Sequence, residues 1–190
     1  QLTQFNRKLT VYKKEENLWL HADTAHIKPF GTENNLSSFH TYAPYRILVD
    51  TSWVFAGTQL QKGDLIGEIS ETYDYTYMFD NWLNNLLGLL NKGKMGAASG
   101  LEVDQINAFT PDNWISIARG LNPDHVGRGE VYPDKWQWDA KGGADMGYYV
   151  HTGGGIVFNV SSIAFTGAIP HDPAIRQLLA NILDRMLKKQ

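Results

Sequence analysis

Residues 142–169 read GGADMGYYVHTGGGIVFNVSSIAFTGAI, and this stretch decides the fold. Two apolar runs, 146–150 and 156–160, are rich in aromatic and β-branched side chains that suit a pleated surface. The three glycines 153–155 separate them, so the segment predicts a strand, a tight connection and a second strand. No Lys-Ser/Thr pair opening a helix follows the glycines, which excludes a phosphate cradle. The reading is a hairpin.

Downstream, Asp172 precedes Pro173, a pairing that suits a helix N-terminus. Ile175, Leu178, Leu179, Ile182, Leu183, Met186 and Leu187 then form one apolar stripe with helical spacing. Lys188 and Lys189 complement the negative end of its dipole. Such a helix is expected to cover a sheet face. Upstream, residues 9–12, 45–50, 101–103 and 114–118 read as strands, and residues 53–55 as a further edge. Arg119-Gly120 reads as a loop start, and Gly57, Gly63 and Gly67 as loop punctuation. Residues 22–44 are irregular and turn-rich, and Phe79, Leu83, Leu86, Leu87 and Leu90 give residues 79–90 one apolar helical face. Strands followed by helices without a clean βαβ repeat describe an α/β layered sheet with flanking helices, or alternatively α+β.

The chain has 190 residues, 43% of them hydrophobic, enough for one domain with a buried core. No apolar run approaches a membrane span and no secretory leader opens the sequence. With 17 basic and 20 acidic side chains interspersed, a net charge of -3 gives no basic patch for nucleic acid. The absence of cysteine rules out thiol catalysis, disulfides and cysteine-ligated zinc, and it leaves the compartment open. Gln1 at the start leads to the expectation of a processed or cleaved terminus.

Few residues carry candidate chemistry. His21, Asp23 and His26, with His40 in the same irregular region, have metal-ligand side chains but no spacing that fixes a geometry. Glu102 and Asp104 alternate about Val103, so both carboxylates would share one face, either for acid and base work or as a solvated strand surface. Asp145 is expected to accept backbone N–H groups from the glycine turn or to bind a nearby serine. Ser161 and Ser162 with His151 and Asp145 offer triad residue types, yet the chain contains no G-x-S-x-G nucleophile elbow. Trp136 and Trp138 beside Tyr132 form an aromatic face suited to stacking on a glycan, or to packing inside the fold.

Four blocks taken together resemble a known family. They are residues 31–38 (GTENNLSS), residues 53–67 (WVFAGTQLQKGDLIG), residues 96–105 (GAASGLEVDQ) and the G-A-D-M run with its glycine turn and S-I-A-F-T-G-A-I ending. The pattern is similar to the C-terminal region of the N,N-dimethylformamidase large, or beta, subunit. Thr32 and Ser38 stand where the family has proline and glycine, and residues 73–94 look like an insertion. The resemblance implies a class I glutamine amidotransferase-like α/β fold. It also implies an amide hydrolase whose iron is held by tyrosine and carboxylate side chains.

No motif here matches those ligands, so this chain is expected to hold no cofactor itself. Residues 1–190 would then be a single domain, or the C-terminal part of a larger dimethylformamidase-like domain, acting as scaffold and pocket wall. The expected partner is a second polypeptide, the remainder of the same precursor, covering an unpaired edge at residues 9–12. A small amide or a glycan is the expected ligand, and Glu102 draws interest because the family keeps an acid there. The alternative is a non-enzymatic secreted binding module or toxin component on the same scaffold.

Overall fold

The computed structural model describes residues 2–5, 9–12, 31–34, 41–71, 96–108, 110–122 and 142–187. The hairpin is present: β10 (Asp145–Val150) pairs antiparallel with β11 (Ile156–Asn159) across the three-glycine turn. β10 also pairs with β9 (Ile115–Gly120), β9 with β5 (Tyr45–Ile47), and β5 with β6 (Leu65–Ile66). The result is a five-stranded sheet of order β11-β10-β9-β5-β6. Three two-stranded pairs accompany it: β1 (Leu2–Phe5) with β2 (Leu9–Tyr12), β3 (Glu33–Asn34) with β8 (Asp104–Gln105), and β4 (Tyr42–Ala43) with β7 (Ser99–Gly100).

The fold is therefore mixed α and β, and every strand pair among the described residues is antiparallel. The amidotransferase-like layering rests on the resemblance alone. β2, expected to present an unpaired edge, is paired with β1 along its whole length in a two-stranded sheet, so one of its two edges is covered.

Between Met146 and Gly147 the register to β9 shifts: Met146 faces Ala118 while Gly147 faces Ser116, which leaves Ile117 as an extra residue on β9. This bulge explains why Ile117 and Ala118, though adjacent, are both fully buried, where a regular strand would turn one of them outward. Tyr45, Ile47, Ala118 and Met146 present one sheet face to the core. Against it lies α1 (Pro173–Leu187), whose Ile175, Leu178 and Ile182 are buried at spacings of three and four. Burial of each such side chain contributes roughly 1.5–3 kcal/mol. The apolar stripe is wider than the contact, since Leu183, Met186 and Leu187 remain exposed.

Helix α1 begins as its sequence predicts. Asp172 Oδ1 accepts from the backbone N–H of Ala174 at 2.8 Å and Ile175 at 3.3 Å, while its Oδ2 accepts from Gly67 N at 2.7 Å. One carboxylate thus caps the helix and ties it to the end of β6. Asn181 Nδ2 donates to Val54 O and Ala56 O, and the Arg185 guanidinium sits 4.7 Å from the centre of a Trp53 ring.

Several short elements differ from expectation. Residues Trp53–Phe55 form a 3-10 turn, because the Ser52 hydroxyl accepts from Val54 N and closes the backbone before it can extend. The strand expected at residues 45–50 ends at Ile47. Arg119 and Gly120 complete β9 and do not begin a loop. Leu65–Ile66 form a strand inside the glycine-punctuated region. Residues 101–103 are no strand: Leu101 takes a left-handed backbone, φ 70°, and turns the chain between β7 and β8. The helix predicted for residues 79–90 and the insertion at 73–94 lie outside the described residues.

Candidate functional site

The turn at residues 101–106 carries two of the sequence-predicted acids, and its anchoring explains their placement. Val103 is fully buried and bridges Ser162, which leaves Glu102 and Asp104 pointing out on either side of it. Backbone bonds lock the turn to the strand exit after β11: Asp104 N donates to Ser161 O at 2.9 Å and Ile163 N to Glu102 O at 3.4 Å. Asp145, the first residue of β10, holds the other end of the turn through a 3.0 Å bond from Ile106 N to its Oδ2. Gln105 Nε2 adds a bond to Gly143 O at 2.9 Å.

Glu102 and Asp104 consequently line one cleft of about 230 Å³ with Asn159, Ser161, Ser162 and Ile163. Both acids border this cleft, and a turn and not the expected strand brings them there. The far wall is fixed as well. Ser161 has φ 57° and is buried; its N–H donates to Asn159 Oδ1 at 2.8 Å and its hydroxyl to Thr32 Oγ1 at 3.2 Å. Asn159 Nδ2 also donates to Thr32 Oγ1, at 2.7 Å. Thr32, where the family resemblance leads one to expect proline, thus supplies a side-chain oxygen that proline lacks.

Ser162 is the hub beneath the cleft. Its hydroxyl oxygen accepts from Gly100 N at 2.8 Å and Ala164 N at 3.2 Å, and lies 2.9 Å from Ala98 O and 3.0 Å from Gly100 O. Next to it Tyr45, wholly buried, donates its hydroxyl to Val160 O at 2.5 Å. Burial pushes the Tyr45 phenol far above its ordinary range, against smaller opposing effects of the Ser162 and Ser99 hydroxyls; the Asp104 and Asp145 charges add to the rise.

Asp145 is only 2% exposed. Burial raises its carboxyl above the ordinary aspartate value, while Arg119 and the Ile106 N–H pull the other way. Its partners are therefore Ile106 N and Arg119, whose Nε lies 3.7 Å from Oδ1, and not the glycine turn or a serine. Arg119 Nε and Nη2 also donate to Gly142 O, at 3.2 and 3.0 Å.

The triad residue types do not assemble. Asp145 and His151 stand at opposite ends of β10, His151 Nδ1 accepts from Gly153 N at 3.1 Å, and the Ser162 hydroxyl is committed to backbone. A shallower depression of about 370 Å³ lies at that far end, among Asn113, Tyr149, Val150 and His151. His21, Asp23, His26, His40, Tyr132, Trp136 and Trp138 all lie outside the described residues. Sequence reasoning missed Tyr45, Arg46 and Arg119, for which the only signal was an arginine inside each of two otherwise apolar strands.

A family model described as N,N-dimethylformamidase beta subunit-like, C-terminal, matches residues 6–176. The chain belongs to this family. No curated protein matches the chain. All four resembling blocks fall within the matched range, and three of them supply the walls of the cleft or the strands that carry it. In this dimethylformamidase-like domain the G-A-D-M run supplies Asp145, the G-L-E-V-D run supplies Glu102 and Asp104, and the S-S-I-A run supplies Ser161 and Ser162.

No three histidine or carboxylate side chains converge among the described residues. Tyr45, the tyrosine beside the acids, donates its hydroxyl to Val160 O. No helix among the described residues is long and apolar enough to cross a membrane.

Proposed function

We propose that this chain forms the C-terminal wall of the substrate pocket of an amide hydrolase. Metal ligands would come from chain N-terminal to the matched domain, and a second polypeptide, the remainder of the same precursor, would complete the pocket. The family match over residues 6–176 carries the reading. The cleft supports it by offering two carboxylates on one surface. Such a surface accepts N–H donors, which suits a small amide before hydrolysis and the ammonium-type leaving group after it. Glu102 and Asp104 would bind and orient, while Ser162, Tyr45 and Asp145 hold the turn that presents them.

The amidotransferase-like layering belongs to the same proposal. Iron analysis and formamide hydrolysis with the isolated chain are expected to be negative. Adding the upstream polypeptide should restore turnover, and Glu102→Gln with Asp104→Asn in that complex should raise KM. Stoichiometric iron with turnover in the isolated chain would overturn this assignment.

A further inference from the structure

Away from the cleft, the sheet carries a guanidinium with no counter-charge among the described residues. Leu65, Arg46, Arg119 and Asp145 lie in register across β6, β5, β9 and β10, so their side chains share the face opposite α1. This row holds two guanidinium groups and one carboxylate. Asp145 is taken by Arg119 and by Ile106 N, and Arg119 is further held by Gly142 O. Arg46 has nothing comparable. Its Nε is sealed from solvent and has no hydrogen-bond partner, and no acceptor to its side chain occurs among the described residues. The residue as a whole is half-buried, so part of the side chain stays reachable.

A secluded donor without an acceptor costs free energy, and like charges directly opposite on neighbouring strands add to that cost. The surplus in the row is one positive charge. The two Nη groups of an arginine form a planar two-donor edge that matches a carboxylate. We propose that Arg46, beside Arg119, forms a binding site for a planar monoanion, a carboxylate, on the sheet face opposite α1. This site is separate from the Glu102 and Asp104 cleft and does not rest on the amidase reading. The carboxylate comes either from a small free acid or from an acidic side chain of a polypeptide.

The test uses the whole 190-residue chain with its arginine Nε–H groups labelled with nitrogen-15. Sodium acetate, sodium chloride and N-acetylglutamic acid α-amide, whose side-chain carboxylate is free, are titrated at constant ionic strength. Acetate should move the Arg46 Nε–H resonance saturably and raise Tm, and chloride should do neither. An equal response to the glutamate derivative assigns the site to polypeptide carboxylates; a response to acetate alone assigns it to small acids. Arg46→Lys keeps the charge but loses the two-donor edge, and should bind acetate roughly tenfold more weakly. Arg46→Met should abolish the acetate effect and raise Tm in acetate-free buffer, because it removes an uncompensated charge. Absence of a saturable shift with either carboxylate, an equal shift with chloride, or a lower acetate-free Tm in Arg46→Met would overturn the proposal. Should Arg46→Met fail to fold, the resonance titration of the native chain still decides the matter, with the acetate dependence of Tm in Arg46→Lys beside it.

Discussion

The Tyr45 hydroxyl donates to the carbonyl oxygen of Val160, closing a 2.5 Å bond between residues 115 positions apart in the chain. It joins β5 to the exit of β11, the two flanks between which β9 and β10 lie. Tyr45→Phe removes the donor and leaves that carbonyl without it, which costs about 1–3 kcal/mol. Denaturant unfolding at neutral pH should show a lower midpoint with an unchanged slope. The same burial has a sign in alkali. The folded phenol titrates above the unfolded value of 10.0, so its contribution is complete below that pH and is lost as pH rises beyond it. The native chain should therefore lose stability above pH 10.0 faster than Tyr45→Phe does.

Asp145 behaves in the corresponding way in acid. Burial raises its carboxyl, so the folded state holds that proton more tightly than the unfolded chain does. The contribution is fully present below the ordinary value of 3.8 and is lost as pH rises through the folded one. The Tm difference between the native chain and Asp145→Asn should accordingly shift against the native chain as pH climbs from 3.8. A scan from pH 3 to pH 7 reads the slope, and a difference that stays flat would contradict the burial argument.

How much of this was legible in the sequence depends on the range of the interactions involved. The hairpin of β10 and β11 and the start of α1 were readable, because alternation, a glycine turn and an Asp-Pro cap act over a few residues. Residues 53–55 misled for the same reason: Trp, Val and Phe favour strands locally, yet one Ser52 hydroxyl closes a turn. The pairing of Glu102 with Asp104 in one cleft followed from their spacing about Val103, although Leu101 breaks the expected strand. The row of Arg46, Arg119 and Asp145 was not readable. It depends on the register of three strands far apart in sequence, with a bulge at Ile117 that no local pattern announces.

Asp172 performs two tasks that can be separated. It caps α1 through Oδ1 and holds Gly67 N through Oδ2. Asp172→Ala should cost about 2 kcal/mol, the upper end of a cap loss, since an additional backbone donor is released. Asp172→Ser can restore the cap but is too short to hold both ends, so thermal unfolding should place it between the native chain and the alanine variant.

Gly143 and Gly63 make a matched pair for testing whether the approach of β9 to the G-A-D-M segment is as tight as the structure has it. Both have positive φ, 82° and 100°, so alanine at either position strains the backbone in the same way. Their surroundings differ. A Cβ on Gly143 would fall on the backbone carbonyl of Gly120, whereas a Cβ on Gly63 meets nothing within 4 Å. Gly63→Ala should therefore cost only the conformational penalty, on the order of 1–2 kcal/mol. Gly143→Ala must also force apart the bond from Gly120 N to Ala144 O and disturb the Gly142 carbonyl that holds Arg119. Its loss should exceed that of Gly63→Ala by several kcal/mol, on the scale of a buried steric clash with disrupted hydrogen bonds. Side-by-side denaturant melts give the comparison, and equal losses for the two variants would show that the strands are not packed this closely.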